Sequence, residues 1–187
     1  MRSIRFFFLA AVVALAAGCG DALGPQTWSA VPDTVTLYSA SRTELTGLPS
    51  GYDFTTGLSI TVESPGQSGS WDLVVADRTG GGFSFLPSGA VLGGSGGAGI
   101  AAVSGQTLDA VKEAPSDTTA YARSTDVPVT VDGVYAIRTR RVNCSLGSGV
   151  HYAKLHVIST DPVRGSVQFE VVRNPFCDDR KLIPPQN

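Results

Sequence analysis

The sequence predicts an all-β domain, an antiparallel sandwich-like or hand-like sheet assembly with one short helix and a C-terminal three-strand meander. Three observations point there. Glycine is abundant at 22 residues and proline adds 11, a supply of turn formers that favours strands and turns over helices. Apolar residues make up 42% of the 187-residue chain, enough for a packed core in one ordinary domain. Between the turns the apolar residues alternate with period two, as half-buried strands require.

Thr34 to Tyr38 sets Val35 and Leu37 against Thr34, Thr36 and Tyr38, which reads as the first strand. Ser41 to Leu48 fits either one helical turn or a short strand, and Gly47 and Pro49 stop it. Ser50-Gly51 reads as a turn, Leu58 to Glu63 as a second strand and Trp71 to Asp77 as a third. Thr79-Gly80-Gly81-Gly82 turns the chain into Phe83-Ser84-Phe85, a hairpin signature. Gly89 to Gly99 is a glycine loop. Its Gly94, Gly96 and Gly99 formally match GxGxxG, but no strand leads into it, so the dinucleotide-binding context is missing. Thr107 to Ala114 is the helix candidate, with Thr107 as N-cap and Pro115 as the stop. Tyr121 to Arg123 and Val127 to Val131 read as strands, the latter at an edge because of Pro128. Asp132-Gly133 reads as a hairpin turn into Val134.

The meander follows: Val134 to Arg140, Val150 to Ser159 and Ser166 to Arg173. In an antiparallel meander the outer strands run the same way and end at the same edge, about 10 Å apart. Cys144 and Cys177 lie just beyond those two ends.

The amino terminus carries a different signal. Arg2 and Arg5 precede an uncharged apolar run, Phe6 to Ala17, too short to span a bilayer comfortably and matched to a secretory signal. Leu15-Ala16-Ala17-Gly18-Cys19 resembles the lipobox of bacterial lipoproteins, with Ala16 where leucine is commoner. The resemblance implies cleavage before Cys19, a diacylglycerol thioether on its sulfur and acylation of the new amino group. The expected organisation is a signal peptide over 1–18, a lipid-anchored tether over 19–33 and a single β-rich domain over 34–187. With Cys19 assigned to lipid, Cys144 and Cys177 are the remaining thiols. An oxidising compartment then predicts that they pair as a disulfide.

No catalytic constellation stands out, and a non-enzyme is expected. The chain holds two histidines, His151 and His156. Their spacing of five sends them to opposite faces of one strand, so they do not jointly chelate an ion. His156 shares its face with Tyr152 and Lys154, which read as solvent-facing. Gly93-Gly94-Ser95-Gly96-Gly97 fits a glycine tract better than a nucleophile elbow. Arg138 and Arg140 share a face and are candidates for gripping an anionic ligand, against simple pairing with acids such as Glu170. Leader removal takes Arg2 and Arg5 and leaves 12 basic against 16 acidic residues, −4, which argues against nucleic-acid binding.

From Trp71 onward the chain resembles the HmuY-like family of β-rich lipoproteins. The matching pieces are Trp71-Asp72-Leu73-Val74-Val75, the glycine-rich stretch, Val134-Tyr135-Ala136-Ile137-Arg138-Thr139, Tyr152-Ala153-Lys154-Leu155-His156-Val157-Ile158-Ser159 and Gly165-Ser166-Val167-Gln168-Phe169. The resemblance implies a hand-like all-β fold on the outer membrane, facing periplasm or cell surface, and makes haem the alternative ligand. Haem ligation by histidine or methionine pairs from separate loops does not carry over. Met1 is the sole methionine, and both histidines sit on one strand. The expectation is a lipid-anchored, non-catalytic binding or structural module without a cofactor, held to the membrane through Cys19. Its partner is an envelope protein or small ligand, with Arg138, Arg140, His151 and His156 as candidate ligand contacts.

Overall fold

The computed structural model describes residues 28–62, 69–93, 97–145 and 147–185. Cys19, the signal peptide, all of the tether before Trp28 and Gly94 to Gly96 lie outside the described residues.

Two five-stranded antiparallel sheets form the body. The first has the order β1-β12-β11-β8-β6: β1 (Asp33–Tyr38), β12 (Ser166–Arg173), β11 (Tyr152–Asp161), β8 (Val134–Arg138) and β6 (Gly99–Val103). The second has the order β3-β2-β4-β5-β7: β3 (Leu58–Ile60), β2 (Gly51–Asp53), β4 (Leu73–Asp77), β5 (Phe83–Pro87) and β7 (Val127–Pro128). A small hairpin, β9 (Val142–Cys144) with β10 (Gly147–Gly149), projects after β8.

The residues facing inward from both sheets make the main core. Leu37, Tyr52, Leu73, Phe85, Ile137, Leu155 and Phe169 are all buried in it. Phe169 meets Tyr52 and Phe85 edge-on, each at a centroid distance of 6.0 Å. This is the preferred quadrupole geometry, worth about 0.5–1.5 kcal/mol per pair beyond area burial.

The C-terminal meander is present as β8, β11 and β12, paired in that order. Val167, Phe169 and Val171 lie on the core face of β12. β11, which carries His156 and begins just after His151, bulges between Val157 and Ser159 before the Asp161 turn. There the Asp161 carboxylate accepts from the backbone N–H of Val163 and Arg164.

A third layer covers the outer face of the first sheet. Ala101, Val134, Ala136, Tyr152 and Val172 form a second apolar cluster beneath Leu108, Val111, Ala114, Tyr121 and Leu182. The strap from Leu108 to Ala114 lies down on this face and pairs with the C-terminal tail. Leu182 N–H donates to Lys112 O and Ala114 N–H donates to Arg180 O, both at 2.8 Å. Tyr152 and Lys154, expected to face solvent, are therefore buried. Their alternation places them outside the sandwich core correctly, but this antiparallel sheet is covered on both faces. Lys154 reaches Val111 O with its Nζ at 3.0 Å, and burial lowers its pKa.

Other expectations are corrected locally. Thr107 to Ala114 forms only a 3-10 turn at Leu108–Ala110, because its apolar residues pack down onto the sheet. The short α-helix, α1, is Ser88–Leu92 instead. Ser50-Gly51 opens strand β2 through Gly51, and Gly99–Val103 is a strand. Tyr121 to Arg123 contributes a single bridge, Ala122 to Ile100. The Asp132-Gly133 turn is a corner between the two sheets, since β7 and β8 do not pair; Asp132 takes φ 62° there. Gly147–Gly149 is strand β10, paired with β9.

Candidate functional site

Three groups of polar residues stand out, and the first accounts for Arg140. Just past β8, its guanidinium meets Asp53 on β2 at 3.1 and 3.3 Å and Asp72 Oδ1 at 3.1 Å. The Arg140 N–H also donates to Asp72 Oδ1 at 2.8 Å, and Phe54 N–H donates to Asp72 Oδ2 at 2.8 Å. Asp53 further accepts from Thr55 N–H and Thr56 Oγ1. Burial acts strongly to raise the Asp53 carboxyl, but hydrogen bonds from Arg140 and Thr56 outweigh it and hold the pKa below the ordinary value. Asp72 is fully enclosed, and burial pushes it up to about 6 against the pull of Arg140. The cluster ties the first sheet to the second. It takes up the guanidinium expected to be available to an anionic ligand.

Arg138 is half-buried near the end of β8, on the side of Tyr121. Among the described residues Glu170 pairs with neither arginine; its carboxylate meets His156 Nδ1 at 2.9 Å.

The second group surrounds His156. Its Nε2 lies 3.6 Å from Asp132 Oδ1, so both ring nitrogens face carboxylates. With Asp109 they line an acidic groove of about 480 Å³ at the edge of the strap.

The third group surrounds His151, at the opposite end of the strand. As the chain arrives at β1, Trp28 packs edge-on against Phe176, with ring centroids 6.3 Å apart. Beneath it lies a cleft of about 310 Å³, lined by Phe54, Thr55, His151, Arg173 and Asn174. That is the lower end of the range for ligand pockets, about 300–1,000 Å³. Trp28 Nε1 and Thr55 Oγ1 are buried without a hydrogen-bond partner among the described residues, and both belong to the walls of this cleft. An unmet buried polar atom costs about 1–3 kcal/mol, so two on one cavity are a signal for a ligand or water.

Asn174 shapes the loop beyond β12. Its Nδ2 donates to Asp179 O and Lys181 O, and its Oδ1 accepts from Phe176 N–H. The loop so formed holds Cys177, which is disulfide-bonded to Cys144 at the end of β9 with a Cα–Cα distance of 6.3 Å. The pairing expected from the meander is therefore present. His151 stands beside it, with Nε2 3.3 Å from Cys177 Sγ and Nδ1 3.2 Å from Asn174 O.

Haem needs a ligand atom facing a space that admits a porphyrin. Both ring nitrogens of His151 meet neighbours in the loop, and both of His156 meet carboxylates. These residues do not fit axial ligation. Among the described residues no helix is long and apolar enough to cross a membrane.

Sequence reasoning places His151 but misses Thr55, Arg173 and Asn174. Only the Asn174-Pro175 dipeptide, a turn signal, stood to mark them. No family model matches the chain, and no curated protein or solved structure matches it either.

Proposed function

We propose that this chain is an exported, lipid-anchored envelope protein acting as a non-catalytic β-rich binding module. Its ligand is a small molecule bearing a carboxylate or similar acceptor, taken into the cleft beneath Trp28. The observation that carries the binding reading is a pair of buried polar atoms, Trp28 Nε1 and Thr55 Oγ1, which have no hydrogen-bond partner among the described residues and belong to residues lining one cleft. Indole N–H is a donor only, and Arg173 adds a cation at the rim, so the walls suit an acceptor. The leader and Cys19 support the anchored, exported reading, with the outer membrane as the destination.

Four measurements test it. In cells fed labelled palmitate, the chain should carry label in the membrane fraction, and Cys19→Ser should lose it. Label retained in Cys19→Ser refutes the anchor. A thermal-shift screen of small carboxylates should find a stabilising ligand whose effect Trp28→Phe abolishes, since that change keeps an aromatic ring and removes the N–H. A shift unaltered in Trp28→Phe refutes the cleft. A Soret shift with micromolar haemin would favour the haemophore-like alternative, and labelling by a fluorophosphonate would overturn the non-catalytic reading.

A further inference from the structure

We infer that Cys144, His151 and Cys177 form a latent zinc site that opens when their disulfide is reduced. The two sulfurs and a ring nitrogen of His151 all lie within 4.8 Å of one another. Three elements converge to place them: the β9 hairpin, the entrance of β11 and the Asn174-ordered loop after β12. None of this depends on the cleft being a ligand site.

The distances suit tetrahedral zinc. With Zn–S about 2.3 Å and Zn–N about 2.0–2.1 Å, a sulfur–nitrogen edge of the tetrahedron is about 3.6 Å and a sulfur–sulfur edge about 3.8 Å. His151 Nε2 already lies 3.3 Å from Cys177 Sγ. Parting the sulfurs to that edge needs side-chain rotation of Cys144 and Cys177, whose Cα atoms are 6.3 Å apart. His151 is also held for the task. Its Nδ1 faces Asn174 O at 3.2 Å, the kind of outer contact that fixes a ligating imidazole with Nε2 toward the metal.

Gly149 leaves room beside the sulfurs. A Cβ at Gly149 would lie 2.7 Å from both Cys144 Sγ and Asp178 Oδ2. Gly149 is outside the left-handed region, so its lack of a side chain answers to this crowding rather than to backbone strain. Asp178 Oδ1 accepts from Val150 N–H at 3.1 Å, which steadies the carboxylate. Two thiolates and an imidazole, with solvent in the fourth position, are a donor set for zinc.

The chemistry balances with a dithiol as reductant. It gives two electrons and two protons to the S–S bond and becomes a disulfide itself. Cys144 and Cys177 leave as thiols. Each then loses its proton to solvent as Zn²⁺ takes the sulfur, so loading releases two protons.

The full chain, purified in detergent, tests this with cobalt as a spectroscopic stand-in for zinc. After anaerobic reduction with a phosphine, one equivalent of Co²⁺ should give thiolate-to-cobalt charge-transfer bands and tetrahedral d–d bands. Zn²⁺ should bleach them and protect both thiols from alkylation, and the unreduced chain should give none. His151→Ala and His151→Gln are both made, and whichever keeps the native near-UV spectrum should lose the tetrahedral bands. Absent charge-transfer bands in the reduced chain, or tetrahedral bands unchanged in a folded His151 variant, overturn the inference.

Discussion

Replacing Arg140 with methionine keeps an unbranched, flexible side chain but shortens it and removes its charge. In the native fold this guanidinium lies 3.1 Å from Asp53 Oδ1 and 3.1 Å from Asp72 Oδ1. Without it, two neighbouring carboxylates lose their cation, one of them fully buried. Breaking one buried pair costs about 3–5 kcal/mol, and mutual repulsion here pushes toward the upper end. The backbone N–H of Arg140 still donates to Asp72, which keeps the loss within that range. The cost depends on pH in a definite direction. Asp72 already sits up at about 6 in the folded protein, above its ordinary 3.8, and losing Arg140 raises it further. An acid whose pKa is raised by folding stabilises the fold when protonated, and that contribution is lost as pH rises through the folded value. Arg140→Met should therefore lose about 3–5 kcal/mol at pH 7.5 and measurably less at pH 5. Urea unfolding at the two pH values reads this directly. An unchanged midpoint at pH 7.5, or a larger loss at pH 5, would refute the reasoning.

Three further outcomes are expected. Replacing both Cys144 and Cys177 with serine should lower stability by about 3–4 kcal/mol in urea unfolding, from the entropy of opening a closure with sequence separation 33. Phe169→Ala should cost about 3–5 kcal/mol by calorimetry, because it leaves a cavity between Tyr52 and Phe85. Gly149→Ala should cost about 1–3 kcal/mol in the same assay, since its methyl would press on Cys144 Sγ and Asp178 Oδ2; a neutral outcome would contradict that crowding.

The strands most legible in the sequence are those with strict alternation and good β-formers. β12 is read residue for residue, Ser166–Arg173, because Val167, Phe169 and Val171 leave no other period. The disulfide follows from the same reading, as meander geometry brings the loops after β8 and β12 to one edge. β6 escapes notice because Gly99-Ile100-Ala101-Ala102-Val103 is built of small residues whose strand is imposed by pairing with β8. The strap reads as helix because its apolar spacing is real, but so short a helix is marginal without packing of its own. Sheet contacts and the tail take its hydrogen bonds instead. The partners of Arg140 stand 68 and 87 residues away in the chain, and no local pattern connects them. The cleft is equally opaque, since Trp28, Thr55 and Asn174 meet only once the sandwich closes.

The pairing of β1 with β12 has a consequence for how the chain comes together in time. Val35 is opposite Phe169, so the first strand hydrogen-bonds to the last. A chain that crosses a membrane amino end first delivers β1 long before its partner. Until residues 166–171 emerge, Val35 and Leu37 have no sheet to join, and they remain an exposed sticky segment on the growing chain. For a chain delivered in that way, folding would wait for the end of delivery, with the slow, topology-limited rate of a non-local β-fold, in the range of about milliseconds to seconds. A helper that shields unfinished strands has its natural point of action on that early segment.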